Sequence, residues 1–239
     1  MNLSGRQVAV TGGSGGIGSA LVLGLSQAGA QVINLDRNPP ASELPAQFIE
    51  VDLTNEPSVK SAMGKIHSLD AIVVSAGIQL VGEDARIEDV SLETWQRTID
   101  INLTGAFLAL KYALPKLVVS GSGSAVLIGS PTAISMEGAG YSAYAASKAG
   151  MMALSRVIAS DYKDKGVRSN VVIPGAMNTP LIKKIWDDPA KRAALVAGTP
   201  LGRIGNPEEL VGLVNWLVST ESSFATGASY AVDGGMTAR

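Results

Sequence analysis

Short apolar runs rich in β-branched residues alternate with stretches of helical periodicity along the whole chain. "RQVAVTGG" (6–13) predicts a buried strand ending in a glycine loop, and "GGIGSALVLGLSQAGA" (15–30) a helix closed by Gly29. Further strand-like runs follow at 31–36, 47–52 and 70–77. A long helical pattern starts near Ser91 and continues past Asn102, with Pro115 near its end, before "GSAVLIGS" (123–130) returns to strand. The longest helical pattern spans 142–166, with Ser142 as its N-cap and Gly166 as its stop. Strands at 167–175 and 228–235 complete the series. Apolar strands separated by helices predict an α/β fold, one parallel sheet covered on both faces. No internal repeat and no linker rich in Pro, Ser or charge divides residues 1–239, so one domain is predicted. "NPPASELPAQ" (38–47) reads as a loop too short for a crossover helix.

Charge and composition then remove several function classes. Nineteen Lys+Arg against 21 Asp+Glu leave a net charge of −2 with no like-charge block, so nucleic acid has no electrostatic footprint. No apolar run approaches the roughly 18–20 residues of a bilayer span, and "MNLSGRQVAV" leads straight into a strand-like run rather than a signal peptide. With zero Cys and His67 as the single His, a disulfide framework, a metal site and a Ser-His-Asp triad are all disfavoured. The expectation is a soluble, cytoplasmic protein that acts on a small molecule, with no metal, no nucleic acid and no membrane.

"TGGSGGIG" (11–18) joins the first strand to the first helix, where backbone N–H groups and the helix dipole favour a phosphate. Gly13-x-Gly15-x-x-Gly18 fits the general dinucleotide fingerprint, while Gly12-x-x-x-Gly16-x-Gly18 fits a different register. Asp36 ends the second strand, close to the spacing of an acid that hydrogen-bonds the adenosine ribose hydroxyls. An anion there repels a 2′-phosphate and points to NAD, whereas Arg37 beside it would accept that phosphate and point to NADP. Asp36 carries the greater weight, since the glycine loop itself holds no basic residue. Asp52, ending the third strand, is a candidate for the adenine amino group.

"YSAYAASKAG" (141–150) carries two tyrosines and a lysine. Residues four apart share a helix face and long side chains lean toward the N-terminus, so Lys148 reaches Tyr144. Tyr141 is seven residues from the lysine, roughly 10 Å along a helix axis, and falls before the helix. A neighbouring ammonium, aided by the positive charge of an oxidised nicotinamide, is expected to pull the Tyr144 phenol down from its ordinary value near 10 toward working pH. Taken alone, the pair equally suits a packed tyrosine beside a solvated lysine.

Taken in order, Thr11-Gly12-x-x-x-Gly16-Ile17-Gly18, Asn102, Ser130, Tyr144, Lys148, Pro174-Gly175 and Thr179 resemble the short-chain dehydrogenase/reductase family of compact single-domain type. "WQRTIDINLTGAF", "PLGRIGNPEEL" and "YAVDGG" extend the resemblance over nearly the whole chain. The resemblance implies a Rossmann-like doubly wound sheet and a catalytic tetrad. Tyr144 would be the general acid/base, with Lys148 lowering its pKa and holding the nicotinamide ribose. Ser130 would orient the reacting oxygen, and Asn102 would position a water that links the lysine to solvent. Pro174, Gly175, Met177 and Thr179 would fix the nicotinamide. Ser14, Gly15, Ile17, Leu53, Ser75, Ala76 and Gly77 would complete the cofactor contacts. It also implies a homotetramer built through the helices that hold Asn102 and Tyr144.

The chain departs from the family pattern in places. The family's Asn-Asn-Ala-Gly appears as "VSAG" (74–77), and the gap from Ser130 to Tyr144 is one residue longer than expected, with Pro131 after the serine. The lengthened stretch would line a substrate pocket formed by Ser130, Thr132, Tyr141, Tyr144, Ile182 and Trp186. Residues 178–202 would cover it, with Leu181 and Ile185 adding apolar contacts. Gln79, Glu83, Ser135 and Glu137 are candidates for further polar contacts, while Lys183, Lys184 and Arg192 would meet solvent or an anionic substrate. The function expected is an NAD-dependent secondary alcohol dehydrogenase/ketone reductase. An NADP-linked carbonyl reductase and a non-catalytic dinucleotide sensor are the alternatives.

Overall fold

A computed structural model describes residues 1–135 and 140–238, apart from the side chain of Lys184. Among the described residues seven parallel strands form one sheet. They are β1 (Gln7–Thr11), β2 (Gln31–Asp36), β3 (Gln47–Glu50), β4 (Ala71–Val74), β5 (Gly123–Ile128), β6 (Val167–Pro174) and β7 (Ser229–Val232). Their spatial order is β3-β2-β1-β4-β5-β6-β7, so the winding reverses between β1 and β4. In a doubly wound sheet the crevice at the carboxyl ends of those two strands is where a ligand binds.

The period of two along each strand divides the core between two faces. Ala9, Ile33, Leu35 and Ile72 face one layer, together with Ala109, Ala113, Leu117 and Met151. Val8, Val10, Val32 and Val73 face the other, with Leu21, Leu25, Val214 and Leu217. The first layer carries α2 (Glu56–Gly64), α4 (Gly105–Ser120) and α5 (Ser142–Asp161), and the second α1 (Gly16–Gln27) and α8 (Val211–Val218). The seven strands all fall within their predicted windows, and no helix interrupts 38–46. The helices α2 and α8 carry weak periodicity in the sequence and emerge only here.

The helix predicted from Ser91 is one continuous element of three parts: α3 (Leu92–Ile99), a π-helical turn at Asp100–Thr104, and α4. Ser91 caps it by accepting the Thr94 N–H, and Pro115 sits inside α4, near its end at Ser120. At 29 residues, with an 18-residue window of mean hydropathy 1.3, this helix meets the length and composition of a membrane span. Lys111 and Lys116 still interrupt its apolar run, and a helix packed into a protein core meets the same length and composition. Its apolar side chains Ala106, Leu110, Ala113 and Leu117 are packed in the core.

Two capping expectations also change. Ser142 is the first residue of α5 and Tyr141 occupies the cap position, with no side-chain capping bond of its own. Gly166, at φ 67°, closes a short 3₁₀ turn at Lys163–Lys165 rather than α5 itself. Residues 178–202 form a 3₁₀ turn at Pro180–Ile182 followed by α6 (Lys183–Trp186) and α7 (Pro189–Ala197).

Candidate active site

The glycine loop leaves β1 and enters α1 at the reversal point. Gly12 adopts φ +68°, and a Cβ there would lie 2.6 Å from the Cα of Ala76 at the end of β4. A Cβ on Gly18 would collide with the carbonyl oxygen of Gly12, and one on Gly16 would meet Thr179 at 2.7 Å. Thr11 locks the same corner, its hydroxyl accepting the N–H groups of Ser75 and Ala76 at 3.2 and 3.3 Å. The result is a cleft of about 520 Å³, within the size range of small-molecule sites.

Gly12, Ser14, Gly15, Gly16, Ile17, Gly18, Asp36, Arg37, Asp52, Leu53, Ser75, Ala76, Gly77 and Thr179 line the cleft. Asn38, Thr54, Ile78, Ile101 and Pro180 also line it, and their identities gave no signal in the sequence. Of the remaining predicted cofactor contacts, Gly175 and Met177 line a separate hollow of about 410 Å³ with Arg203, Glu209 and Asp233. Pro174 is buried at the end of β6. The bare backbone of the cradle and the acids at its far end suit a dinucleotide.

Asp36 has both oxygens engaged: one accepts the Ser14 N–H at 3.1 Å and the other the Asn38 N–H at 3.1 Å. The Ser14 hydroxyl donates to the Asn38 carbonyl and accepts from the buried Asn34 amide. The carboxylate therefore holds the loop together as well as facing the cleft. The Thr54 hydroxyl and N–H, with Arg37 nearby, hold the Asp52 carboxyl below the usual carboxylate range.

The predicted tetrad comes together beside this cleft, on the π-turn, the end of β5 and the first turns of α5. Tyr144, Ser130, Lys148 and Asn102 are all buried. Ser130 favours the charged form of the Tyr144 phenol, and its Oγ accepts from Thr132 Oγ1 at 2.9 Å. Lys148 Nζ lies 5.8 Å from the Tyr144 ring centroid and donates to the Ile128 carbonyl at 2.8 Å. Gly77 keeps the gap open, since a Cβ there would stand 3.3 Å from Asn102 Oδ1 and 3.4 Å from Lys148 Nζ.

The charge states differ from expectation in one respect. Burial pushes the Tyr144 phenol up to about 12, with the Ser130 hydrogen bond opposing it, rather than the lysine pulling it down. Burial likewise brings the Lys148 ammonium down to about 8. The physical reason is that both groups are removed from water while the ammonium is aimed at the Ile128 carbonyl instead of the phenol.

Asn102 spends its side chain on the protein. Its Oδ1 accepts the Ile78 N–H at 2.8 Å, and its Nδ2 donates to the Ile78 carbonyl and to Ser147 Oγ at 3.1 Å. Ser147 passes the link on by donating to the Tyr144 carbonyl at 2.7 Å. Ser147 was not singled out by the sequence, although it lies one helical turn after Tyr144.

Around the mouth, Thr132, Tyr141, Ile182, Trp186, Ile185 and Gln79 are half-buried, and Leu181, Glu83 and Ser135 exposed. Lys183 pairs with Asp187 at 2.6 Å, and Arg192 stacks over Trp186 at 5.5 Å. Glu137 lies outside the described residues, and burial holds the Tyr141 phenol above its usual value, with Asp84 adding to the effect.

Residues 12–237 match a family model described as enoyl-(acyl carrier protein) reductase. A cis-4-hydroxycyclohexanecarboxylate dehydrogenase of Sinomonas cyclohexanicum is 36% identical over 246 residues, covering 98% of this chain and 97% of its own. The ligand-free aldohexose dehydrogenase of Thermoplasma acidophilum superposes with a TM-score of 0.90 at 36% identity, covering 99% of this chain and 96% of that one. A gluconate 5-dehydrogenase of Burkholderia cenocepacia, in complex with NADP and tartrate, gives a TM-score of 0.93 at 28% identity over 100% and 97% of the two chains. With this match over nearly its full length, the chain belongs to the short-chain dehydrogenase/reductase family of NAD(P)-dependent oxidoreductases.

Proposed function

We propose that the protein interconverts a secondary alcohol and a ketone with NAD, and that Tyr144 is its general acid/base. The carrying observation is the buried Tyr144 phenol, whose charged form Ser130 favours, with the Lys148 ammonium 5.8 Å from its ring. A nicotinamide cofactor held by the glycine loop and Asp36 would supply the acceptor for the hydride of the carbinol carbon in the oxidative direction. Tyr144, as phenolate, takes the hydroxyl proton, and the carbon–oxygen bond becomes a carbonyl. In reduction the neutral phenol returns that proton to the carbonyl oxygen. Thr132 donates to Ser130 Oγ, which turns the serine's own proton toward the phenol and the reacting oxygen.

A phenol at about 12 is protonated at neutral pH, so the proton for reduction is in place and the phenolate needed for oxidation is scarce. Ketone reduction should therefore hold its rate across neutral pH, whereas alcohol oxidation should rise as pH increases. NADH appearance with NAD and a panel of secondary alcohols, sugars and hydroxy acids tests the reading. Tyr144→Phe should lower turnover about 10²–10⁴-fold with cofactor affinity unchanged. Equal turnover in wild type and Tyr144→Phe would refute the assignment.

Asp36 at the cleft supports NAD, because its carboxylate repels a 2′-phosphate. Arg37 in the same lining supports the NADP-linked reading, and the gluconate 5-dehydrogenase relative was solved with NADP. Comparing NADH and NADPH affinities decides between them. The substrate class we infer is a hydroxylated ring or polyol, in keeping with the hydroxycyclohexanecarboxylate and aldohexose dehydrogenase relatives. We also infer a homotetramer through α4 and α5, whose Phe107 and Val157 are 46% and 54% exposed. A monomer mass by light scattering at micromolar concentration would exclude it.

A further inference from the structure

A 20-residue helix begins at Ser142 with a tyrosine in its cap position and no side-chain cap from that residue. The first N–H groups of a helix have no intrahelical acceptor and, where buried, must find one elsewhere. Here the acceptors come from a loop about sixty residues earlier in the chain. Asp84 is 7% exposed. Its Oδ2 accepts the Tyr144 N–H at 2.9 Å and its Oδ1 the Ala143 N–H at 3.2 Å. The neighbouring Ala85 carbonyl accepts both the Ser142 N–H, at 3.3 Å, and the Ser142 hydroxyl, at 2.7 Å. Asp84 Oδ1 also accepts the Ala85 N–H at 3.0 Å, which fixes the carboxylate relative to its own loop.

Every helical N–H from Ser142 to Tyr144 is thus satisfied by Asp84–Ala85, and Ala145 returns to the Tyr141 carbonyl. Two of those bonds end on the backbone of Tyr144 and its neighbour. The carboxylate is a charged acceptor facing the positive end of the helix, an arrangement stronger than a neutral cap. The sequence around Tyr141 supplies no Ser, Thr, Asp or Asn at the cap position, so nothing local replaces it.

We propose that Asp84 is a positioning residue for catalysis: it caps the Tyr144 helix from the 79–90 loop and sets where the phenol stands relative to Ser130 and Lys148. Its action runs through the Tyr144 backbone and it touches no reacting atom. The catalytic half of the inference rests on Tyr144 being the acid/base, and the capping half does not.

The test combines amide hydrogen exchange with kinetics on the full chain, for Asp84→Ala and the milder Asp84→Asn, which keeps one acceptor oxygen. In Asp84→Ala, exchange of the Ala143 and Tyr144 amides should accelerate at least about tenfold while β1 amides stay protected. The kcat should fall about tenfold or more with KM for the cofactor changed less than about twofold, because misplacing a reacting group lowers rate rather than ground-state binding. Asp84→Asn should recover part of both losses. If Asp84→Ala does not fold, the Asp84→Asn data carry the test, with the same signs and smaller changes. Unchanged exchange at Ala143 and Tyr144, or acceleration spread equally over β1, would overturn the capping role. Accelerated exchange with an unaltered kcat would overturn the positioning role. A wild type without turnover on any alcohol would refute the proposed reaction instead, and the exchange result would still decide whether Asp84 caps the helix.

Discussion

Replacing Lys148 by methionine should remove a buried charge from the site, and the effect on stability should depend on pH in a calculable way. The ammonium falls from its ordinary 10.5 to about 8 because burial disfavours its charged form. At about 1.4 kcal/mol per unit, carrying the charge costs the fold about 3 kcal/mol wherever the lysine is protonated in both folded and unfolded chains, which is below pH ~8. Between about 8 and 10.5 the unfolded chain binds the extra proton, so wild-type stability rises with pH across that window. Above it both forms are neutral and the cost is gone. Methionine removes the cost but leaves the Ile128 carbonyl without its 2.8 Å partner. That orphaned acceptor takes back about 1–3 kcal/mol. The variant should therefore equal or exceed wild type by up to about 2 kcal/mol at pH 7, and that advantage should shrink by about 2 kcal/mol by pH 9.5. Urea unfolding of both proteins at pH 7, 8 and 9.5, at one protein concentration, measures the difference, in which the other titrating groups cancel. A difference that stays flat over this range would refute the claim that Lys148 is held in its charged form against the cost of burial.

Further outcomes follow from the geometry. Gly18→Ala puts a methyl group against the Gly12 carbonyl, which is backbone and cannot yield, so dinucleotide affinity should fall at least about tenfold by fluorescence titration while circular dichroism stays native. Ser147→Ala breaks both the Asn102 bond and the bond to the Tyr144 carbonyl, and should lower unfolding stability by about 1–3 kcal/mol, read from the urea midpoint. Asp36→Ala should shift the NADH-to-NADPH affinity ratio toward NADPH by about tenfold, the equivalent of 1.4 kcal/mol. An unaltered ratio would mean that Asp36 serves the loop through Ser14 and Asn38 and takes no part in choosing the cofactor.

The strands were legible because parallel strands buried on both faces must be apolar throughout, and Val8 to Val10 or Ala71 to Val74 can be little else. The glycine loop was legible for a related reason: contacts that forbid a Cβ leave a mark in the sequence itself. Helices α2 and α8 were not, because the packing that stabilises them comes from neighbours distant in the chain. The direction in which burial moves Tyr144 and Lys148 was not legible on the same account. Spacing along α5 brings the two residues to one face, but whether the ammonium points to the phenol or to the Ile128 carbonyl is decided by β5. Asp84 lay hidden for the plainest reason, since a cap supplied across sixty residues has no local pattern to read.

These features share one physical logic. Asn102, Ser147 and Asp84 are buried polar groups whose hydrogen-bonding capacity is spent on backbone and on one another, so they act as rigid supports. Tyr144 and Lys148 are the opposite case. A lysine has three donors, and here they meet one carbonyl and a thioether at 3.7 Å. The phenol's charged form is opposed by burial with only Ser130 in its favour. The site thus holds its supports satisfied within the protein, while Lys148 keeps donor capacity toward the cleft side that Gly77 leaves open. A ligand with hydroxyl acceptors beside Lys148 would gain affinity from that donor, which stabilises the folded chain by mass action. It follows that the dinucleotide should raise the melting temperature of wild type more than that of Lys148→Met. An equal rise in both would show that binding energy comes from the glycine cradle alone.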